Sequence, residues 1–197
     1  METIEYHPLE PFLPPEAKIL LLGSFPPKKE RWSMDFFYPN FQNDMWRIMG
    51  LLFFADKHHF IDSGEEALRK KLRRFDRQRI EAFCIEKGIA LYDTARAVRR
   101  LKDNASDKFL EVKQITDIRA LLDKIPLCHT VITTGEKATQ ILAAAMQCDE
   151  PPTGGHTRFT YNSRAYTFYR MPSSSRAYPL PVEKKAEIYG KVLCLLQ

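Results

Sequence analysis

Paired cysteines are missing from this sequence. The chain has four cysteines among 197 residues, and no two of them form a C-x-x-C pair. Neither a zinc site nor a disulfide framework is therefore indicated, and we expect reduced cysteines that pack in the interior. His58 and His59 have no carboxylate or cysteine at the spacing of metal ligands. We accordingly expect no metal and no other cofactor.

Long apolar runs are missing as well. No stretch approaches the roughly 18 apolar residues that a membrane-spanning helix needs. The opening segment, METIEYHPLEPFLPPEAK, lacks the basic start and the apolar run of about 7 residues that are typical of a secretory signal. We therefore expect a soluble, cytoplasmic protein with no membrane partner. The sequence also has no internal repeat and no low-complexity segment.

Charge of one sign is only slightly in excess. The chain has 30 Lys and Arg against 25 Asp and Glu, which gives a formal net charge of +5. This balance is compatible with a polyanionic partner but does not require one. The length and the 44% of hydrophobic residues are sufficient for one domain with its own core. We expect a single domain over residues 1–197, in which the proline-rich residues 1–17 form an extended arm.

Residues 18–46 carry the most local information. Residues 19–22 form a short apolar run, which is typical of a strand buried on both faces, and Gly23 gives the backbone freedom for a sharp exit. A loop of about 20 residues follows, and loops of that length are usually functional or disordered. Its aromatic residues argue against disorder. Because ligands bind at the carboxyl ends of parallel strands, the loop at 24–43 is the first candidate site.

Strand and helix patterns alternate along the rest of the chain. The predicted strands lie at 19–22, 89–92 and 131–132 and in a hairpin at 158–161 and 165–170. The first predicted helix begins at Asn43 or Asp44. Further helices are predicted at 64–74, 80–88, 115–125, 136–146 and 182–196. Residues 94–100 are predicted as a short helix or loop. This order predicts an α/β fold, a three-layer α/β/α sandwich with a central, mainly parallel four-stranded sheet.

The carboxyl ends of the predicted strands bring several polar segments to one edge of the sheet. These segments are 24–43, Asp93, Thr134 with Gly135, and 173–176. We expect this edge to be the active face.

Four blocks of the sequence follow one another in a recognisable order. They are LLLGSFPP with FFYPNFQNDMW, then GIALYD, VITTGEKA and MPSSSRA. In this order they resemble the motifs of the uracil-DNA glycosylase superfamily, most closely its mismatch-specific and hypoxanthine-DNA glycosylase branches, and the resemblance covers residues 18–176. The hypoxanthine branch also has a Ser-Asp pair, which matches Ser106 and Asp107. The iron-sulfur cluster of some branches is not expected, because the first cysteine here is Cys84.

The resemblance implies a DNA glycosylase that removes a deaminated base, uracil or hypoxanthine, from DNA in base excision repair. Such an enzyme takes the base out of the stack and hydrolyses the bond between the sugar and the base. No lysine is placed to suggest a lyase step, so a monofunctional glycosylase is expected. We expect the protein to act as a monomer, with DNA containing a deaminated base as its partner.

The resemblance also implies roles for residues in the first loop. Several branches have an Asp or Asn that acts on water at the position occupied here by Phe25. The hypoxanthine branch has the same loss and relies on an Asn that matches Asn43, while Tyr38 matches an aromatic residue that stacks on the flipped base. The chemistry leaves alternatives open. Asn43 would orient water, bind the base edge or only cap a helix, and Tyr38 would otherwise only seal the core.

Three further groups complete the predicted pocket. The backbone N–H groups of Ser24 and Phe25 are candidates for stabilising the negative charge on the leaving base, as oxyanion-hole donors do. Gly135 belongs to the block that helps to form the base pocket in the resembling family. Asp93, at a strand end, is expected either to polarise water or to cap the next helix.

The last block is a polar loop that offers contacts to the DNA backbone. Its hydroxyl and N–H groups are candidates for binding the phosphates that flank the flipped nucleotide, and its arginine for filling the gap left in the duplex. The residues concerned are Ser173, Ser174, Ser175 and Arg176. A simple polar connection between strand and helix is the alternative.

Two other functions stay open from the sequence. One is a DNA- or nucleotide-binding module that keeps the fold but no longer excises a base, as Phe25 permits. The other is an α/β enzyme that acts on a free nucleoside or another small molecule. Only the first of these predicts binding that weakens steeply as salt rises.

Overall fold

The structure is a computed structural model, and it describes residues 3–101 and 109–196. The strands that it describes are β1 (Glu5–Tyr6), β2 (Ile19–Gly23), β3 (Ile89–Asp93), β4 (Ala95–Arg100), β5 (Leu110–Ile115), β6 (Thr130–Thr134), β7 (His156–Tyr161) and β8 (Arg164–Met171). The α-helices are α1 (Met45–Phe54), α2 (Glu65–Arg69), α3 (Arg77–Lys87), α4 (Ile118–Lys124), α5 (Glu136–Met146) and α6 (Val182–Leu193). Ser106 and Asp107 lie outside the described residues.

The backbone forms two compact units. The first runs up to Pro26 and from Gly88 to Ser173, and the second runs from Pro27 to Lys87 and from Ser174 onward. The first unit contains all the strands named above, with α4 and α5. The second contains α1, α2, α3 and α6.

A five-stranded sheet in the order β3-β2-β6-β8-β7 forms the centre of the first unit. The first four strands in this order run parallel, as predicted, and β7 runs antiparallel to β8. The prediction of a four-stranded sheet is therefore wrong, because β7 adds a fifth strand and makes the sheet mixed. The turn explains the reversal. Asn162 and Ser163 have φ values of 51° and 60°, and two positive φ values are the mark of a two-residue hairpin turn.

A second sheet in the first unit has the order β1-β4-β5 and is antiparallel. The prediction of a helix or loop at 94–100 is therefore wrong, because this segment is strand β4. The helix predicted at 115–125 is shorter than expected and begins at Ile118. Residues 95, 97 and 98 of β4 are buried, and irregular register next to Ala97 breaks strict alternation. The strand therefore lacks the period of two by which strands are recognised in a sequence.

The N-terminal arm has β1 as its only regular element among the residues described. The arm runs beside β3, where Phe12 and Leu91 exchange two backbone hydrogen bonds of 3.0 and 2.8 Å. His7 donates its backbone N–H to the Arg96 carbonyl oxygen at 2.8 Å. Several separate bonds thus hold the arm on the first unit.

Two of the helices of the second unit, α1 and α6, pack against each other. Aromatic rings from α1 and neighbouring segments pack together in the interior of this unit. The centre of the Phe60 ring lies 5.0 Å from that of Phe83 and 6.1 Å from that of Trp46. The helix predicted at 64–74 ends early, at Arg69, and Lys71 then takes a φ of 51°. A left-handed residue of this kind ends a helix.

The cysteines divide into two classes. Cys84 and Cys128 are buried, as predicted, whereas Cys148 is half-buried and Cys194 is exposed. Burial raises the pKa of the Cys84 thiol far above its ordinary value and that of Cys128 to about 11. Both buried thiols are therefore protonated at neutral pH.

Within the described residues, no helix is long and apolar enough to cross a membrane.

Gly50 in α1 provides a test of the packing in the second unit. A Cβ atom at this position would overlap the carbonyl oxygen of Asp56, which is backbone and has little room to move. We expect Gly50→Ala to lower the free energy of unfolding by about 1 to 3 kcal/mol. Helix propensity alone predicts the opposite sign, a gain of about 1 kcal/mol. Chemical denaturation measures the difference.

Gly190→Ala in α6 is the matched control. Its new methyl group would lie 3.0 Å from Cδ2 of Leu52, the mobile end of a side chain, so a smaller loss is expected. A Gly50→Ala protein at least as stable as the unchanged chain would contradict the close approach of Asp56.

Candidate functional site

The predicted site residues belong to both compact units. Within the first unit, Ser24 follows β2, Asp93 ends β3, Gly135 follows β6 and Ser173 comes shortly after β8. The parallel register pairs Gly23 with Asp93, so the ends of β2 and β3 are level. Backbone bonds join the segments further, with Ala95 donating to the Ser24 carbonyl oxygen at 3.0 Å. The structure thus brings these strand ends to one edge of the sheet, as predicted.

The turn after β2 combines a packed side chain with backbone N–H groups that are not bonded within the described residues. The Phe25 side chain is buried and packs with Ala95, Val98 and Leu110. The guanidinium carbon of Arg100 lies 5.6 Å from the centre of the Phe25 ring. The backbone N–H groups of Ser24 and Phe25, in contrast, donate to no group in the described part of the chain. They are the groups of this turn that a ligand can use.

Asp93 is bound by a residue that we did not predict from the sequence. Its Oδ2 atom lies 2.8 Å from Nε2 of His7. The His7 side chain is fully buried, whereas that of Asp93 is 11% exposed. The other oxygen, Oδ1, accepts no hydrogen bond from the described residues and is not buried. Asp93 therefore presents one bonded oxygen and one free oxygen.

The bond between His7 and Asp93 determines the position of the ring proton if Asp93 is ionised, because a carboxylate only accepts and Nε2 must then donate. Nδ1 is 2.9 Å from the Leu9 carbonyl oxygen and 3.2 Å from the Leu9 N–H. With its proton on Nε2, a neutral ring accepts from the Leu9 N–H, whereas a ring that carries both protons donates from Nδ1 to the Leu9 carbonyl oxygen. In either state Nε2 carries the proton that an ionised Asp93 accepts. Because His7 and Asp93 are 86 residues apart, no local motif links them.

Gly135 adopts a backbone conformation that few other residues tolerate. Its φ is 93°, and its N–H donates to the Met171 carbonyl oxygen at 3.1 Å. A Cβ atom here would lie 3.6 Å from Cβ of Ser173. Gly135 therefore keeps the ends of β6 and β8 close together and leaves space beside Ser173.

In the second unit, Tyr38 is half-buried on a strained backbone. Its φ of 50° is unusual for a residue with a bulky side chain, and such outliers cluster at functional sites. Its ring meets that of Trp46 edge to face, with centres 6.2 Å apart. The neighbouring backbone is held by Trp46 Nε1, which donates to the Phe37 carbonyl oxygen, and by two bonds from Ser33 to the Pro39 carbonyl oxygen. The backbone that carries this half-buried residue is thus held on both sides.

The two polar atoms of the Asn43 side chain differ in their bonding. Its Oδ1 atom accepts the backbone N–H of Met45 at 2.9 Å, so the amide oxygen caps the start of α1. The N-cap residue itself is Asp44, so Asn43 supports the start of α1 from one position before the cap. The amide nitrogen Nδ2, however, has no partner among the residues described and is not buried. The side chain can therefore cap the helix and donate to a ligand at once.

The neighbouring Asp44 is the centre of a buried group of charges. Its Oδ1 accepts from Nε of Arg176 at 2.9 Å, and its Oδ2 lies 3.3 Å from Nζ of Lys185. The Lys185 side chain is fully buried and also donates to the Ser175 carbonyl oxygen at 2.8 Å. Arg47 lies 3.9 Å away. The sequence offered no signal for this cluster, since lysine and arginine are usually surface residues.

Arg47 is itself enclosed by aromatic rings. Its guanidinium carbon lies 4.5 Å from the centre of the Phe41 ring and 5.1 Å from that of Phe75. Burial, together with the positive charge of Arg176, lowers the pKa of Arg47 to about 10, and the charge of Asp44 acts in the opposite direction. Arg47 therefore keeps its charge at neutral pH.

Most of the polar loop after β8 is engaged in the fold. Ser174 is buried, and its carbonyl oxygen accepts the Asp44 N–H at 2.8 Å. The Ser175 hydroxyl accepts the N–H of Ala177 at 3.2 Å. The Arg176 side chain is 48% exposed, and its terminal nitrogens bind none of the described residues. Arg176 is thus the member of this loop with a free charged group.

Comparisons with known proteins concern the fold. No family model and no curated protein matches the chain. Among solved structures, the solution structure of a protein from Methanosarcina acetivorans, described as a "putative Uracil DNA glycosylase", covers 98% of this chain and 99% of its own. The TM-score is 0.61 and the sequence identity 21%. The two proteins share a fold. The predicted α/β fold is confirmed at this level, and the superfamily and its branch stay predictions.

Removing Asp44 tests the buried charge cluster. We expect Asp44→Ala to lower the free energy of unfolding by about 3 to 5 kcal/mol, because Lys185 is then left buried without its counter-ion. Chemical denaturation is the measurement. Glu183→Ala serves as the control, since it removes an ion pair with Lys57 in which both side chains are about half exposed, and its effect should stay within about 0.5 kcal/mol. Equal effects of the two changes would refute the role assigned to Asp44.

Proposed function

We propose that this protein is a DNA glycosylase that hydrolyses the bond between a deaminated base, uracil or hypoxanthine, and its deoxyribose. The fold that it shares with the Methanosarcina acetivorans protein supports the proposal. Folds host many activities, so the proposal depends on the site. The observation that carries it is the edge of the first unit. There, the free oxygen of Asp93 and the free N–H groups of Ser24 and Phe25 follow adjacent, level strands.

These groups match what the reaction requires. The C1′–N bond breaks and its electron pair leaves with the base, while a water oxygen bonds to C1′ and gives up a proton. Asp93 accepts that proton as the general base. The N–H groups of Ser24 and Phe25 stabilise the negative charge that develops on the leaving base. Gly135 keeps the wall of the base pocket open.

In this proposal, the first loop and the loop after β8 provide the contacts to the base and to the DNA backbone. Tyr38 stacks on the flipped base, which suits a half-buried ring held on a fixed backbone. Asn43 donates from its amide nitrogen to the base edge or to the attacking water. Arg176 binds a phosphate through its free terminal nitrogens, and the loop from Ser173 to Ser175 contributes N–H groups.

The remaining expectations from the sequence stay predictions. They are a single domain, a three-layer α/β/α arrangement, a monomer, a monofunctional enzyme, a cytoplasmic location, and a reaction without a metal or cofactor.

Excision assays on defined oligonucleotides test the proposed function. The purified chain is incubated in excess with single- and double-stranded DNA that contains uracil, hypoxanthine or xanthine, and abasic sites are revealed as alkali-labile breaks. We expect breaks at uracil or hypoxanthine and none at unmodified bases. Binding that weakens steeply with salt but gives no breaks would favour the inactive DNA-binding module. Hydrolysis of free nucleosides, with no excision from DNA, would favour the small-molecule enzyme.

A pair of substitutions separates the two uses of Asn43. Asn43→Ser keeps an oxygen that can accept the Met45 N–H but removes the amide donor, whereas Asn43→Ala removes both. We expect both variants to lose about 100-fold in single-turnover excision rate, because each loses the donor. Only Asn43→Ala should also lose about 1 kcal/mol of stability. An Asn43→Ser protein with the full rate would show that Asn43 is a helix cap alone.

A further inference from the structure

We propose that His7 is a positioning residue for Asp93, which it holds through Oδ2 so that Oδ1 is aimed at the attacking water. The inference rests on the proposed function and adds a residue from the N-terminal arm to it. The four blocks that resemble known glycosylases begin only at residue 18, so they assign His7 no role.

The environment of His7 excludes direct contact with a substrate. Its side chain is fully buried, with its ring centre 5.4 Å from that of Phe25 and 4.6 Å from that of Tyr92. Both ring nitrogens already have partners, Asp93 and the backbone of Leu9. His7 therefore acts through Asp93 rather than on the reacting atoms.

The arm has several attachments besides the His7 side chain. β1 pairs with β4 through Glu5 and Tyr6, and the Glu5 carboxylate accepts from Nε of Arg100 at 2.9 Å. Phe12 adds two backbone bonds to Leu91. The arm is therefore attached at several points without the His7 ring, and the role that we assign to this ring is its bond to Asp93.

The effect on Asp93 follows from the geometry of the carboxyl group. A carboxylate rotates about its Cβ–Cγ bond unless one oxygen is held, and rotation would exchange the bonded and the free oxygen. The N–H of Nε2 holds Oδ2 at 2.8 Å, and the surrounding rings hold the imidazole. Small errors in the placement of a catalytic group are costly, and about 1 Å corresponds to a 100-fold loss of rate.

Three variants test the inference. His7→Phe keeps a ring but removes the donor, and we expect its single-turnover excision rate to fall about 10- to 100-fold while the dissociation constant for DNA stays unchanged. His7→Gln places an amide N–H near the position of Nε2 and should recover most of that loss. Glu5→Ala is the control, because it removes another tie of the same arm and should lower stability without lowering the rate. In an Asp93→Asn background, His7→Phe should have little further effect on the rate.

A measurement that does not depend on activity accompanies the kinetics. In ¹⁵N-edited NMR spectra, His7 should carry a proton on Nε2 that exchanges slowly with solvent, and its resonance should move in Asp93→Asn. Absence of this proton would overturn the pairing, and His7→Phe with the full rate would overturn the positioning role while the proposed function stands. A parallel loss of rate in Glu5→Ala and His7→Phe would also overturn it. A wild-type chain that excises no base refutes the proposed function, and the positioning role fails with it.

Discussion

Burial of β2 on both faces and along both edges is the constraint on which the first unit depends. All five residues from Ile19 to Gly23 are buried, so every N–H and carbonyl group of this strand needs a partner in a neighbouring strand. β3 and β6 provide these partners in parallel register. Parallel strands end at the same edge, so the segments after β2, β3 and β6 emerge there together. The candidate catalytic groups are therefore gathered by the same bonds that satisfy the central strand.

In the second unit, the buried charges depend on a single carboxylate. Asp44 lies at the start of α1 and compensates Lys185 from α6, which is fully buried. A buried ammonium is costly unless it is paired and hydrogen-bonded, and here Asp44 and the Ser175 carbonyl oxygen do both. The same carboxylate holds Arg176. Structural charge pairing and the placement of a candidate DNA-binding side chain thus depend on the same atoms.

How far the sequence predicts this protein depends on the range of the interactions concerned. β2 and α5 are predictable because apolar runs and helical spacing are local, and so is the hairpin turn at Asn162. β4 is not, because irregular register removes the period of two and basic side chains at 96, 99 and 100 hide its buried residues. Asp93 could be predicted as a strand-end carboxylate. His7 could not, because its partner is distant in the chain and both of its neighbours, Tyr6 and Pro8, are ordinary for an extended arm.

The bonds between Phe12 and Leu91 have a consequence beyond catalysis. β3 is the outermost strand on its side of the five-stranded sheet, and an uncovered outer strand offers unpaired N–H and carbonyl groups to any other chain. The arm occupies Leu91, the middle residue of β3, through both of its backbone groups. Displacing the arm would leave these backbone groups of β3 unpaired and available for edge-to-edge association between molecules. The segment that carries His7 therefore also covers the edge of this sheet.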